Sequence, residues 1–91
     1  MPQYQRLREL LGNETFPHHF PFKFVGKQSA AFEAGVRALE TQFPGLVLQT
    51  RRQSANQKHL SVTYTLEAES AEIIIEILRA IAVIPDVLII L

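Results

Sequence analysis

Ninety-one residues, 47% of them hydrophobic, suit one compact core rather than two, since a chain of this size buries roughly two-thirds of the surface it exposes when unfolded. Nine basic and nine acidic residues cancel, which removes the whole-molecule field that draws proteins to DNA or anionic membranes and leaves only local patches to consider. The absence of cysteine excludes a disulfide framework, cysteine-ligated zinc and thiol catalysis.

From Gln3 to Leu11, apolar residues fall at Tyr4, Leu7, Leu10 and Leu11, the spacing of a short amphipathic helix that Gly12-Asn13 would stop. The opening MPQYQRLRELLG lacks the charged-then-apolar layout of a secretory signal, so a cytoplasmic protein is expected. Phe20, Phe22 and Phe24 then share one parity of an extended segment; because Pro21 cannot donate to a ladder, the regular strand is expected over Phe22 to Gly26. Ser29 is a natural N-cap for a helix carrying Phe32, Val36, Leu39 and Phe43, which Pro44-Gly45 ends. Leu46 to Arg52 and Gln57 to Glu67 read as two strands of a hairpin joined by the turn formers Gln53 to Gln57. In the second of them Leu60, Val62, Tyr64 and Leu66 alternate with Ser61, Thr63, Thr65 and Glu67. Ser70 caps a further helix, with Glu69 and Glu72 near its positive end and Ile74, Ile77, Leu78 and Ile81 inside. Pro85 stops it, and Val87 to Leu91 make a last strand.

The stretch from Ile73 to Leu91 is apolar enough to test as a membrane span. Glu76, Arg79, Pro85 and Asp86 interrupt it, and a charge near the bilayer centre costs on the order of 3 kcal/mol, so a helix followed by a buried strand is the better reading.

Strand, helix, strand, strand, helix, strand is the ferredoxin-like βαββαβ order, an α+β sandwich with sheet order 4-1-3-2 and two helices on one face. One domain is expected over residues 1–91, with residues 1–15 as an N-terminal helical extension. The strings FPFKFVG, FPG after the first long helix, RRQSANQKHLSVTYTLEAES and ILRAIAVIPDVLIIL resemble the YbeD-like family of small bacterial proteins of unknown function, from about Phe16 onward. The resemblance implies a ferredoxin-like sheet similar to ACT domains, small regulatory modules that bind amino acids. It carries no catalytic signature, and the fold hosts many unrelated activities.

Parity assigns Phe22, Phe24, Leu60, Val62, Tyr64 and Leu66 to the helices, and Lys23, Val25, Ser61, Thr63 and Thr65 to the open face. RNA-recognition modules of this topology display aromatics on that open face, where bases stack, so nucleic acid is disfavoured; its remaining route is the basic hairpin of Arg51, Arg52, Lys58 and His59. The bland reading of that hairpin is a solvated loop tip.

The last strand poses a different question. Either Val87, Ile89 and Leu91 or Leu88 and Ile90 must point away from the helices, and an apolar edge strand without lysine, internal proline or bulge recruits other chains. The expected cover is the N-terminal helix, through Leu7, Leu10 and Leu11, or a second copy of the protein.

Chemistry is harder to find. His18 and His19 point to opposite faces when extended and His59 belongs to the far end of its strand, so no metal is expected. Glu33 and Glu40 on one helix and Glu69, Glu72 and Glu76 on the other read as solvated faces, and no nucleophile elbow or phosphate loop occurs, so no enzyme and no cofactor are expected. Gly26-Lys27-Gln28-Ser29, at the N-terminus of the first long helix, is the candidate site for a small carboxylate or amino acid. Against it stand the ordinary need for a cap and the lack of the Asp-x-Pro-Gly-like loop of ACT modules. A non-enzymatic binding or regulatory module, acting as a homodimer or on a protein partner, is the resulting expectation.

Overall fold

The period-two run around Val62 builds the centre of a sheet. In the computed structural model, which describes residues 2–11 and 16–91, the elements are α1 (Pro2–Leu11), β1 (His18–Lys27), α2 (Ala30–Gln42), β2 (Val47–Gln53), β3 (His59–Ala68), α3 (Ala71–Ala82) and β4 (Val87–Ile90). The strands form one antiparallel sheet in the order β2-β3-β1-β4, the expected order seen from its other edge. The stop expected at Gly12-Asn13 and the side chains of Tyr4 and Leu11 lie outside the described residues.

Both sheet-covering helices start where a serine hydroxyl can take an orphan N–H. Ser29 accepts from the Phe32 amide at 3.0 Å and Ser70 from the Ile73 amide at 3.4 Å, each from an extended backbone, a contribution of about 1 kcal/mol apiece. The helices then lay Phe32, Val36 and Leu39 from α2, and Ile74, Ile77 and Ile81 from α3, against Phe22, Phe24, Leu60, Val62 and Tyr64 of the sheet in a single cluster. Phe22, Phe24 and Tyr64 are at most 1% exposed, so the aromatics of the central strands belong to the interior. Phe24 sits between Phe32, edge-on at 6.0 Å, and Tyr64, stacked at 6.3 Å.

Five sequence expectations change. β1 begins at His18 rather than Phe22, with Pro21 inside it opposite Thr65. Leu91 donates to the Lys23 carbonyl, so the backbone groups of odd-numbered residues here face β4; β4 pairs only from Phe24 to Gly26, and the missing N–H of Pro21 falls on a stretch with no paired strand on that side among the described residues.

β4 also carries a bulge. Val25 pairs with Ile89 and Gly26 with Val87, leaving Leu88 as the extra residue. Neither parity set therefore points outward as a whole: Val87 and Ile90 lie opposite Gly26 and Phe24 on the helix side, and Ile89, with Leu91 opposite Lys23, lies on the open side. Gln49 is a similar extra residue in β2, and its side-chain amide donates to Thr65 Oγ1 at 2.9 Å.

α1 packs against α3, not over β4. Arg8 pairs with Glu72 and Leu7 lies against the core, while Leu10 is exposed. Ile75, one turn along from Glu72, is buried outside the main cluster, so α3 has a second apolar flank that a single inner stripe does not capture.

The carboxylates of α2 are engaged rather than merely solvated. Glu33 accepts from Gln28 Nε2 at 2.9 Å and pairs with Arg51, and Glu40 takes the hydrogen bond of the Tyr64 phenol.

Candidate interaction surface

The Gly26–Ser29 turn has its donors occupied. Lys27 donates its amide to the Asp86 carbonyl at 2.9 Å, Gln28 its amide to the Lys58 carbonyl at 2.9 Å, and Ser29 its hydroxyl to Asp86 Oδ2 at 2.7 Å. Asp86 thus brings a carboxylate of the chain itself to the N-terminus of α2, where a free anion would otherwise go. The glycine answers to packing: a Cβ on Gly26 would lie 2.2 Å from the Phe32 ring. Only the Lys27 side chain remains for other work.

The basic hairpin is divided by the sheet. Arg51, opposite Val62, lies on the helix side with Glu33. Arg52, opposite Ser61, lies on the open side, and so does His59, opposite Lys27. The loop between the strands is held by itself: Ser54 Oγ donates to Asn56 Oδ1 at 2.7 Å and accepts from the His59 amide at 3.1 Å, while Asn56 Oδ1 also accepts from the Lys58 amide. Gln57 takes a positive φ of 60° to close the turn. Below the helix layer Gln53 donates to Gln28 Oε1 at 3.1 Å, tying the hairpin to the β1–α2 turn.

On the open face the registers align Arg52, Ser61, Val25 and Ile89 in one row across β2, β3, β1 and β4. The next row runs Thr50, Thr63, Lys23 and Leu91. A concavity of about 440 Å³ opens at the hairpin end of this face, lined by Val25, Arg52, Ala55, His59 and Ser61 among others. At the β4 edge the face turns apolar: Leu88, Ile89 and Leu91 are 50%, 53% and 70% exposed. Every described phenylalanine and tyrosine of the strands points the other way, so the open face has no platform of such rings on which bases could stack.

A second groove, between α2 and the end of α3, is lined by Gly35, Leu39, Ala80, Val83 and Ile84 and holds no titratable side chain. His18 and His59 sit at opposite ends of the β1–β3 ladder, opposite Ala68 and Lys27, about 30 Å apart at the usual rise per residue. Among the described residues no group of three or more histidines and carboxylates could hold a metal ion, and no helix is long and apolar enough to cross a membrane.

A family described as a protein of unknown function, DUF493, matches residues 13–91. The chain belongs to the DUF493 family. This is the family of the YbeD-like proteins that its sequence resembles. No curated protein and no solved structure matches the chain. For this DUF493 member the site therefore has to be read from its own surface.

Read that way, the surface combines residues the sequence distributed among three separate ideas. Ile89 and Leu91 came from the association strand, Arg52 and His59 from the basic hairpin, and Lys27 from the anion turn. Val25 and Lys23, placed on the open face by parity alone, join them there. Adding up strand parities across the hairpin would have found the row; the Leu88 bulge, which sets the phase of β4, would not have been found.

Proposed function

We propose that this DUF493 chain is a non-enzymatic binding module, ferredoxin-like and similar to ACT regulatory domains in architecture, that works by associating with protein through the open face and β4 edge of its sheet. The observation that carries the reading is the exposed apolar strip of Leu88, Ile89 and Leu91 at a strand edge that α1 leaves uncovered. Isolated exposed aliphatics are ordinary on a protein surface, but several gathered along one strand edge mark a contact surface, here on a strand that carries the Leu88 bulge.

A peptide-display selection on the full chain tests this, with amide chemical shifts reporting where selected peptides bind. Binding that perturbs Val25 and Leu88 to Leu91, and that Ile89→Lys abolishes, is the expected result. Selected peptides that map to the groove between α2 and α3 instead, or a selection that yields no binder, would sink the reading.

A further inference from the structure

The cations of the open face stand outside the ion pairs of the described residues. Arg8 and Arg51, which lie with the helices, are matched by Glu72 and Glu33, whereas Lys23, Lys27 and Arg52 make no ion pair among the described residues. Carboxylates gather on the other layer, at Glu33, Glu40, Glu72 and Glu76 of the helices. Asp86, just before β4, has its carboxylate on the Ser29 hydroxyl at the N-terminus of α2, and on the strands Glu67 is the described carboxylate at an open-face position, opposite His19 and about 26 Å along β3 from His59. That separation exceeds the screening length at physiological salt, so Glu67 does not neutralise the hairpin end. A molecule with no net formal charge thus presents one basic, partly apolar face.

We propose that the row Arg52, Ser61, Val25 and Ile89 docks an acidic protein segment that carries an apolar anchor. This rests on the association reading and gives its partner a chemistry. Adjacent strands lie about 4.8 Å apart, so Arg52 and Ile89, separated by three strand gaps, are about 14 Å from each other. The segment lies across the strands with its aliphatic side chains on Val25, Ile89 and Leu91. Its carboxylates reach the concavity where Arg52 and His59 converge, within range of Lys27 and Lys23. Arginine in that position offers a planar fork that a carboxylate can take with two hydrogen bonds. Two copies meeting through this face would bring Lys23, Lys27 and Arg52 against one another, a like-charge arrangement that disfavours self-association there. RNA would satisfy the cations but has no aliphatic group for the Ile89 end and finds no phenylalanine or tyrosine on this face on which to stack.

The probe is a fluorescein-labelled synthetic peptide with leucine and isoleucine at one end and three glutamates about four residues further on, matched to the 14 Å span at the rise of an extended chain. A copy with lysine in place of glutamate and a single-stranded RNA oligomer serve as comparison probes. Fluorescence anisotropy with the full chain should show the acidic peptide binding more tightly than either, and more weakly as salt is added. Arg52→Glu and Lys23→Glu should each weaken it by about tenfold or more and improve binding of the lysine peptide; both residues are exposed, so folding is not at stake. Equal binding of the acidic and lysine peptides, indifference to Arg52→Glu, or tighter binding of the RNA overturns the proposal. So does a dimer in sedimentation that Arg52→Glu leaves intact and Ile89→Lys dissolves. If display-selected peptides still map to β4 but show no acidic bias, the association reading stands and the charge assignment alone is lost.

Discussion

Ser29 and Asp86 hold each other across the mouth of α2: the hydroxyl donates to the carboxylate at 2.7 Å while accepting from the Phe32 amide at 3.0 Å. Asp86 achieves this from a positive φ of 66°, a conformation that aspartate tolerates better than most residues. One serine therefore caps a helix and anchors the start of β4. Ser29→Ala should lower stability by about 1 to 2 kcal/mol in urea denaturation, the range of a lost cap. Asp86→Asn, which keeps the conformation and an acceptor, should cost less than Ser29→Ala.

Gly26 is indispensable for a steric reason. Its missing side chain makes room for the Phe32 ring, so Gly26→Ala should destabilise by about 1 to 3 kcal/mol, in the range of overpacked cores. Phe32→Leu should also destabilise on its own. Combining the two should cost less than their sum, because the smaller side chain relieves the clash, and a double-mutant cycle by thermal or urea unfolding reads that coupling.

Tyr64 predicts an alkaline limit to stability. Burial, together with the hydrogen bond to Glu40 and its negative charge, pushes the phenol well above its ordinary value of about 10, with Arg51 opposing weakly. A folded-state value raised above the unfolded one means that the folded form holds the proton more tightly. The corresponding stability is complete below pH 10 and is lost progressively as the pH rises above it toward the folded value. In a Tyr4→Phe background, phenolate absorbance should therefore stay low above pH 10 until the chain unfolds. An independent titration at the ordinary value, with circular dichroism unchanged, would contradict the burial of this side chain.

The two sides of β4 should respond differently from the core. Ile89→Ser, on the open face, should change stability by no more than about 0.5 kcal/mol. Ile77→Ala, fully buried between α3 and the sheet, should cost about 2 to 5 kcal/mol. Arg8→Ala should stay below about 1 kcal/mol, because the Arg8–Glu72 pair is roughly half exposed on both sides.

Much of the layering was visible in residue order. The strict alternation from Leu60 to Thr65 and the Phe22, Phe24 parity determine which side of the sheet meets the helices, and Ser29 and Ser70 mark helix starts by a hydrogen bond that local sequence specifies. What stayed hidden depends on partners far along the chain. The bulges at Gln49 and Leu88 arise from how two strands are matched, and no local pattern announces them. The carboxylate at the Gly26–Ser29 turn comes from Asp86, 57 residues beyond Ser29. Nor does the amphipathic pattern of α1 say whether its apolar side meets α3 or the sheet edge. The candidate surface was legible in pieces, because its cations and aliphatics come from four strands and only the register assembles them.

Pro21 has a protective consequence. Among the described residues no strand pairs with the early part of β1 on the β4 side, and a foreign strand laid along that flank would meet a rung with no hydrogen to give. Templating along β1 would thereby be interrupted at Pro21.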